Sequence, residues 1–392
     1  MGKTETVHTS AALPTGRFQW LDSVKGMCVI WIAFFHCTLS YSNGRFPSPL
    51  TISSLSSFVE QCAPGSGFGK LLCAAKAIVA AVLLRGSQGV GVFLLFSGFG
   101  LTYSLIKSGG FEVSWANWYK RRFARLFPIY WLAHLVIVIS PFAVLRDKID
   151  YRFLLSFFGD RFYPVDKMFY YLVPAWWFSG MLIEFYIAFP LLFRLMQKLG
   201  WLKHMAFCIV ATLSARFALQ MMKANGDYAM GAFFVCRLWE FGAGMVLGKL
   251  MAEEPGETFR RLISWKGLFL GIIMYVLGFL TYQPNFLFNV SDGLTAMGLS
   301  IILIHAAYYL ERAPGLGRVF ALAGVYSYGI YLFHQPYVIF AGEKLRPYSF
   351  VVFLIAASAV VILISVISMG FEYAVNRALP GRAQSGKKRA RA

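Results

Sequence analysis

Apolar residues run along this chain in long blocks, separated by short polar or basic stretches. A helix needs about 20 mostly apolar residues to cross the hydrocarbon core of a bilayer. Blocks near that length centre around Trp31, Leu95, Ala133, Leu182, Thr212, Ala243, Tyr275, Ile301, Ile330 and Ala357. A further block, 71–84, is apolar but shorter and carries Lys76, so it reads as an interfacial helix or an extension of the second span. In lipid every backbone polar group must be satisfied internally, which long apolar blocks achieve as helices. The pattern predicts an all-α integral membrane protein, a bundle of about ten transmembrane helices. Residues 1–20 make a polar N-terminal segment, 21–376 the transmembrane domain and 377–392 a basic tail. The first segment lacks the apolar stretch of a cleavable signal peptide.

Composition agrees with that class. The chain is 58% hydrophobic and 14% charged, whereas soluble domains are about 45–50% apolar and about 25% charged. Too little polar surface exists to cover soluble domains of this length, and disorder needs low hydrophobicity. The formal net charge of +19 invites a nucleic-acid reading, but Lys and Arg sit in clusters between apolar runs, not along one soluble face. Such clusters set orientation, since positive residues favour the cytoplasmic side. Lys107, Lys120, Arg121, Arg122 and Arg125 flank the second and third spans, and Arg194, Lys198 and Lys203 separate the fourth and fifth. Lys249, Arg260, Arg261 and Lys266 follow the sixth, and Lys387, Lys388, Arg389 and Arg391 end the tail. Both termini are therefore expected in the cytoplasm of a multi-pass protein of the inner or plasma membrane, in keeping with an even span count. Two longer loops, 42–88 and 146–173, are expected outside; the second breaks the charge rule with Arg146, Lys148, Arg152, Arg161 and Lys167. Six cysteines without a CxxC pair predict neither a zinc nor a redox centre. Cys62 and Cys73 fall in the first outer loop, where a disulfide and two free thiols are both open.

Ionisable groups inside spans are costly and are functional candidates by default. His36 follows Lys25 on the first span, roughly 16 Å further along a helix. Lys25 then lies at the cytoplasmic surface and His36 near mid-membrane, where a neutral imidazole can take a proton from a hydroxyl. Glu184, also near mid-membrane, needs a partner. It either orients His36 and stabilises its imidazolium or pairs structurally with Arg216 or Arg237. Arg237 and Glu240, one turn apart, read as a local ion pair. His334, before Pro336, either contacts substrate or packs; the proline is expected to kink its helix and free backbone groups. His8, His134, His204 and His305 read as structural or exposed. In the glycine-rich second span, small residues admit a neighbouring helix or an acyl chain, and Ser97 is a weaker acyl-accepting candidate. Arg122 and Arg125, at i and i+3, face the same way and suit a phosphorylated ligand, although such a run also serves as a positive-inside anchor.

Taken in order, several motifs resemble the membrane acyltransferase-3 family. They are Arg17 to Lys25 with His36, Val92 to Gly98, Arg121-Arg122-Phe-Ala-Arg125 with Pro128, Trp177 to Tyr186 with Pro190, Arg237 to Gly244, and Tyr331 to Pro336. The resemblance implies acyl transfer, commonly acetyl, from cytoplasmic acyl-CoA (acetyl-CoA) to a hydroxyl of an outward-facing glycan or lipid-linked sugar. It makes His36 the essential histidine and Arg122 and Arg125 the donor-binding pair. The family's first-span arginine is Lys25 here, so charge is kept but the bidentate fork is lost. The expected site is thus His36 and Glu184 for catalysis, Lys25, Arg122 and Arg125 for donor phosphates, and His334, Ser97 and Trp177 for substrate, with no metal and no permanently bound cofactor. Membrane lipids are the other expected partners. Direct attack on the thioester and an acyl-histidine relay are both open. The rival function is a transporter or exporter of a glycan or acylated intermediate, against which stands the absence of matching repeated halves. A non-catalytic scaffold is a third reading.

Overall fold

A computed structural model describes residues 18–65, 67–140, 149–163, 165–169, 171–222, 230–282 and 287–379, and among these no strand occurs. The principal helices are α1 (Gln19–Ser42), α2 (Ile52–Cys62), α3 (Gly67–Leu84), α4 (Gly89–Lys107) and α5 (Trp115–Ile139). After the short α6 (Tyr151–Phe157) and α7 (Val165–Met168) come α8 (Trp177–Met221), α9 (Leu238–Glu253) and α10 (Pro255–Leu262). The chain closes with α11 (Trp265–Leu280), α12 (Phe288–Leu310), α13 (Pro314–Val325), α14 (Ser327–Leu345) and α15 (Phe350–Ala378).

Each expected span centre falls in a helix. By length and composition, six helical stretches can cross a membrane, or eight if two bent pairs each count as one span. One bent pair joins α10 to α11 at 63° and the other α13 to α14 at 84°. Two features lower the count from the sequence reading. The centres at Leu182 and Thr212 share α8, whose one non-helical residue is Gly200 (φ 76°, ψ 165°). At 16 residues, α9 is about 24 Å long, short of a core of about 30 Å. The 71–84 block proves to be an extension of the second span: α3 passes through one 3-10 turn into α4, a 41-residue apolar stretch.

α1 packs at the centre, against α3, α4, α12, α13, α14 and α15. Two crossings bring backbones together. A Cβ on Gly244 of α9 would lie 1.7 Å from the Leu95 carbonyl oxygen of α4, and one on Gly98 of α4 2.1 Å from that of Phe241. A Cβ on Gly324 would lie 1.7 Å from the Asp22 carbonyl oxygen of α1. Without a hydrophobic drive between helices in lipid, such close packing is what holds them. The glycines of the second span therefore admit a helix.

The loops explain two sequence puzzles. Cys62 and Cys73 form a disulfide that ties α2 to α3. In the 146–173 loop, Arg161 is 2% exposed and donates to the Ser156 hydroxyl and the Tyr171 and Val173 carbonyls at 2.8–3.0 Å. Arg152 pairs with Asp150 at 3.0 Å. Two of the five cations that broke the charge rule are thus structural; Arg146 and Lys148 lie outside the described residues.

Candidate functional site

Four helices and the α13–α14 bend enclose a cavity of about 190 Å³. At 100° per residue, Lys25, Ile32 and His36 fall within about 20° of one stripe on α1, and the first two line this cavity. α4 adds Val90, Phe93 and Ser97, α5 adds Arg122 and Arg125, and α8 adds Phe178, Leu182 and Tyr186. The i, i+3 spacing of the two arginines does bring them to one face. Lys25 lies 4.0 Å from Asp22, the carboxylate among the lining residues. The Arg122 guanidinium lies over the Trp118 ring, 5.3 Å from its centroid, and among the described residues neither arginine has a salt-bridge partner. Three cations against one acid leave the cavity positive, with an apolar floor of phenylalanine and leucine.

His36 lines a different and larger cavity, about 590 Å³, together with Trp177, Arg85, Arg237 and Asp292. Ile32 and Val90 line both cavities. The two spaces therefore lie back to back across these two side chains.

The surroundings of His36 are built from α14. Gln335 accepts the Ala175 N–H on its Oε1 at 2.8 Å, so its NH₂ points at the imidazole, 3.3 Å from Nδ1 and 3.5 Å from Nε2. An amide NH₂ only donates, which leaves the accepting ring nitrogen unprotonated and His36 neutral. Behind it stands His334, 0% exposed, its ring centroid 5.3 Å from that of His36. Its Nδ1 lies 2.8 and 3.1 Å from the Tyr331 and Ile330 carbonyls, so it carries the proton and Nε2 keeps a lone pair. That Nε2 is buried without a hydrogen-bond partner among the described residues.

Pro336 makes this arrangement possible. Lacking an N–H, it leaves the i−4 carbonyl of Leu332 without a helical donor, and the Trp176 indole N–H takes that oxygen at 2.8 Å. The turn that carries Ala175 is thereby docked beside Gln335. Pro336 is accommodated inside a continuous α14, and the backbone group it frees serves packing.

Several sequence expectations change. Glu184 does not orient His36: it lines a separate cavity of about 210 Å³ with Asp160 and Arg161 and accepts the Phe234 N–H at 3.2 Å. Nor does it pair with Arg216 or Arg237. Those two share Asp292, Arg237 at 2.8 Å, and Arg237 also meets Glu240 at 3.0 Å, the expected local pair. The reason is distance along the helix: Glu184 stands seven residues, about 10 Å, beyond Trp177 on α8, and Trp177 lines both its cavity and that of His36. Ser97 lines the cationic cavity but donates its hydroxyl to the Phe93 carbonyl at 2.8 Å. His334 sits behind His36, whereas Trp177 does line the His36 cavity. His134 is structural as expected, bonded to Tyr130 and Ser156. Sequence reasoning missed Gln335 and Asp292, although each is a polar residue inside an apolar block, the signal that singled out Glu184.

Together the helices and their paired cavities define a multi-pass membrane protein. A family model described as an acyltransferase domain matches residues 18–370, and the chain belongs to that family, acyltransferase 3. Membership makes it a membrane acyltransferase with an acyl donor and an acceptor substrate. Comparison with curated proteins found no match, and comparison with solved structures found none either.

Proposed function

We propose that the protein is a membrane O-acyltransferase that moves an acyl group, preferably acetyl, from acyl-CoA to a hydroxyl of a glycan or lipid-linked sugar across the membrane. The observation that carries this reading is the shared wall between a cation-lined cavity and the cavity that holds His36. Lys25, Arg122 and Arg125 hold the donor phosphates by charge-assisted hydrogen bonds, with the nucleotide at the mouth and the slender thioester arm inside. The acceptor enters the His36 cavity, where Trp177 offers a ring face.

In the transfer step His36 takes the hydroxyl proton as the oxygen attacks the thioester carbonyl. The C–S bond breaks as the ester C–O bond forms, and the imidazolium returns its proton to the leaving thiolate, releasing free coenzyme A. Gln335 orients the ring in the place first expected of Glu184.

Sidedness follows from two supports. The basic clusters favour a cytoplasmic donor side and cytoplasmic termini. The Cys62–Cys73 disulfide suits an oxidising compartment, which supports an outward α2–α3 loop. About ten crossings, an even number, result if α8 counts as two spans at Gly200 and α9 as one.

The test is release of free coenzyme A from acetyl-CoA by membrane vesicles carrying the full chain. His36→Ala should lower turnover by about 10²–10⁴-fold with the protein still inserted. Arg122→Ala and Arg125→Ala should raise the donor KM about tenfold or more each. Wild-type turnover in His36→Ala overturns the assignment; export of a glycan without thioester consumption would favour a transporter.

A further inference from the structure

The two cavities share a short stretch of lining, the seam between them. Ile32 of α1 and Val90 of α4 belong to both linings, and among the described residues no other side chain does. Along the α1 stripe, Ile32 stands about 10 Å beyond Lys25 and about 6 Å before His36. An acyl group presented by a donor held at Lys25, Arg122 and Arg125 meets these side chains before it meets the base. Neither residue can bind phosphate or move a proton. Both are β-branched, and a β-branched side chain in a helix holds one dominant rotamer, so the pair gives stiff apolar sides to the seam that the acyl group must cross. Ile32 is 2% exposed, which leaves it little room to swing aside. On the donor side Phe93, Phe178 and Leu182 continue the apolar lining. A methyl beyond the thioester carbonyl fits against such a wall, whereas a longer tail must lie across the seam and into the space the acceptor needs.

Resting on the acyltransferase reading above, we infer that Ile32 and Val90 are the specificity-determining pair that limits the length of acyl group delivered to His36. A methylene more or less in an apolar pocket changes discrimination by about 10–200-fold, so trimming either side chain should be measurable.

The experiment compares kcat/KM for acetyl-CoA and hexanoyl-CoA, read as free coenzyme A released by vesicles carrying the full chain. The wild type should prefer acetyl. Val90→Ala and Ile32→Ala should each raise the hexanoyl-to-acetyl ratio about tenfold or more, and Val90→Phe should lower the propionyl-to-acetyl ratio. Because Ile32 is deeply packed, Ile32→Val provides a milder variant that should shift the ratio in the same direction. An unchanged ratio in both Val90→Ala and Ile32→Val overturns the inference while leaving the acyltransferase reading intact. A wild type that releases coenzyme A from neither donor overturns that reading, and this inference with it.

Discussion

An imidazole acts as a base only when one of its nitrogens lacks a proton and faces the hydroxyl. At His36 the Gln335 amide meets the first condition, because its Oε1 is committed to the Ala175 N–H and only its NH₂ faces the ring. The second requires the acceptor hydroxyl to displace that NH₂ from the same unprotonated nitrogen, since the other carries the N–H. His334 adds a second imidazole whose tautomer is set by two backbone carbonyls. Gln335 is a positioning residue: Gln335→Leu should lower kcat roughly tenfold, the worth of about one hydrogen bond, while the donor KM stays at its wild-type value. A parallel rise in donor KM would show instead that the substitution disturbs the cationic cavity. His36 and the Arg122–Arg125 pair could be picked from the chain because their chemistry is local, a histidine within a span and two arginines one turn apart. Glu184 was misassigned because its partner, the Phe234 N–H, comes from a segment 50 residues away, whose position the spacing along one helix does not encode.

Among the helices, the positions that look most like defects hold the site together. Pro336 leaves the Leu332 carbonyl for Trp176, which docks the turn that anchors Gln335. Gly244 lets α9 lie against the α4 backbone, on the helix that carries Val90 and Ser97. Gly244→Val would drive side-chain carbons into the Leu95 carbonyl, and overpacking of this kind costs typically about 1–3 kcal/mol, occasionally more. We expect a lower yield of folded protein and a lower midpoint of thermal aggregation in detergent than for Gly100→Ala, where a Cβ meets no atom within 4 Å. The glycine-rich run was readable as a close approach; that a helix fills it could be learned only from the packing.

For the whole molecule the question is sidedness. Charge alone left the 146–173 loop as an exception, and burial of Arg161 with pairing of Arg152 removes much of the conflict. The Cys62–Cys73 disulfide supplies an independent marker, since the other four cysteines are free and buried. In intact cells, a membrane-impermeant maleimide should label the chain only after a membrane-impermeant reductant has opened that bond, and Cys62→Ser with Cys73→Ser should abolish the signal. Labelling that requires broken cells would invert the topology.

The amino-acid sequence by itself determined the class of protein, the helical blocks and the family, because hydrophobic periodicity, charge clusters and ordered motifs are properties of the chain taken in line. It also determined the stripe of Lys25, Ile32 and His36, which the helical repeat alone brings to one face. Only the tertiary structure decided that Gln335 attends His36, that Glu184 faces elsewhere, and that two cavities meet at Ile32 and Val90. Those facts depend on how far each helix is turned and how closely it approaches its neighbours. Such rotations are set by packing contacts between residues far apart in the chain, 299 positions for His36 and Gln335, which no local pattern records.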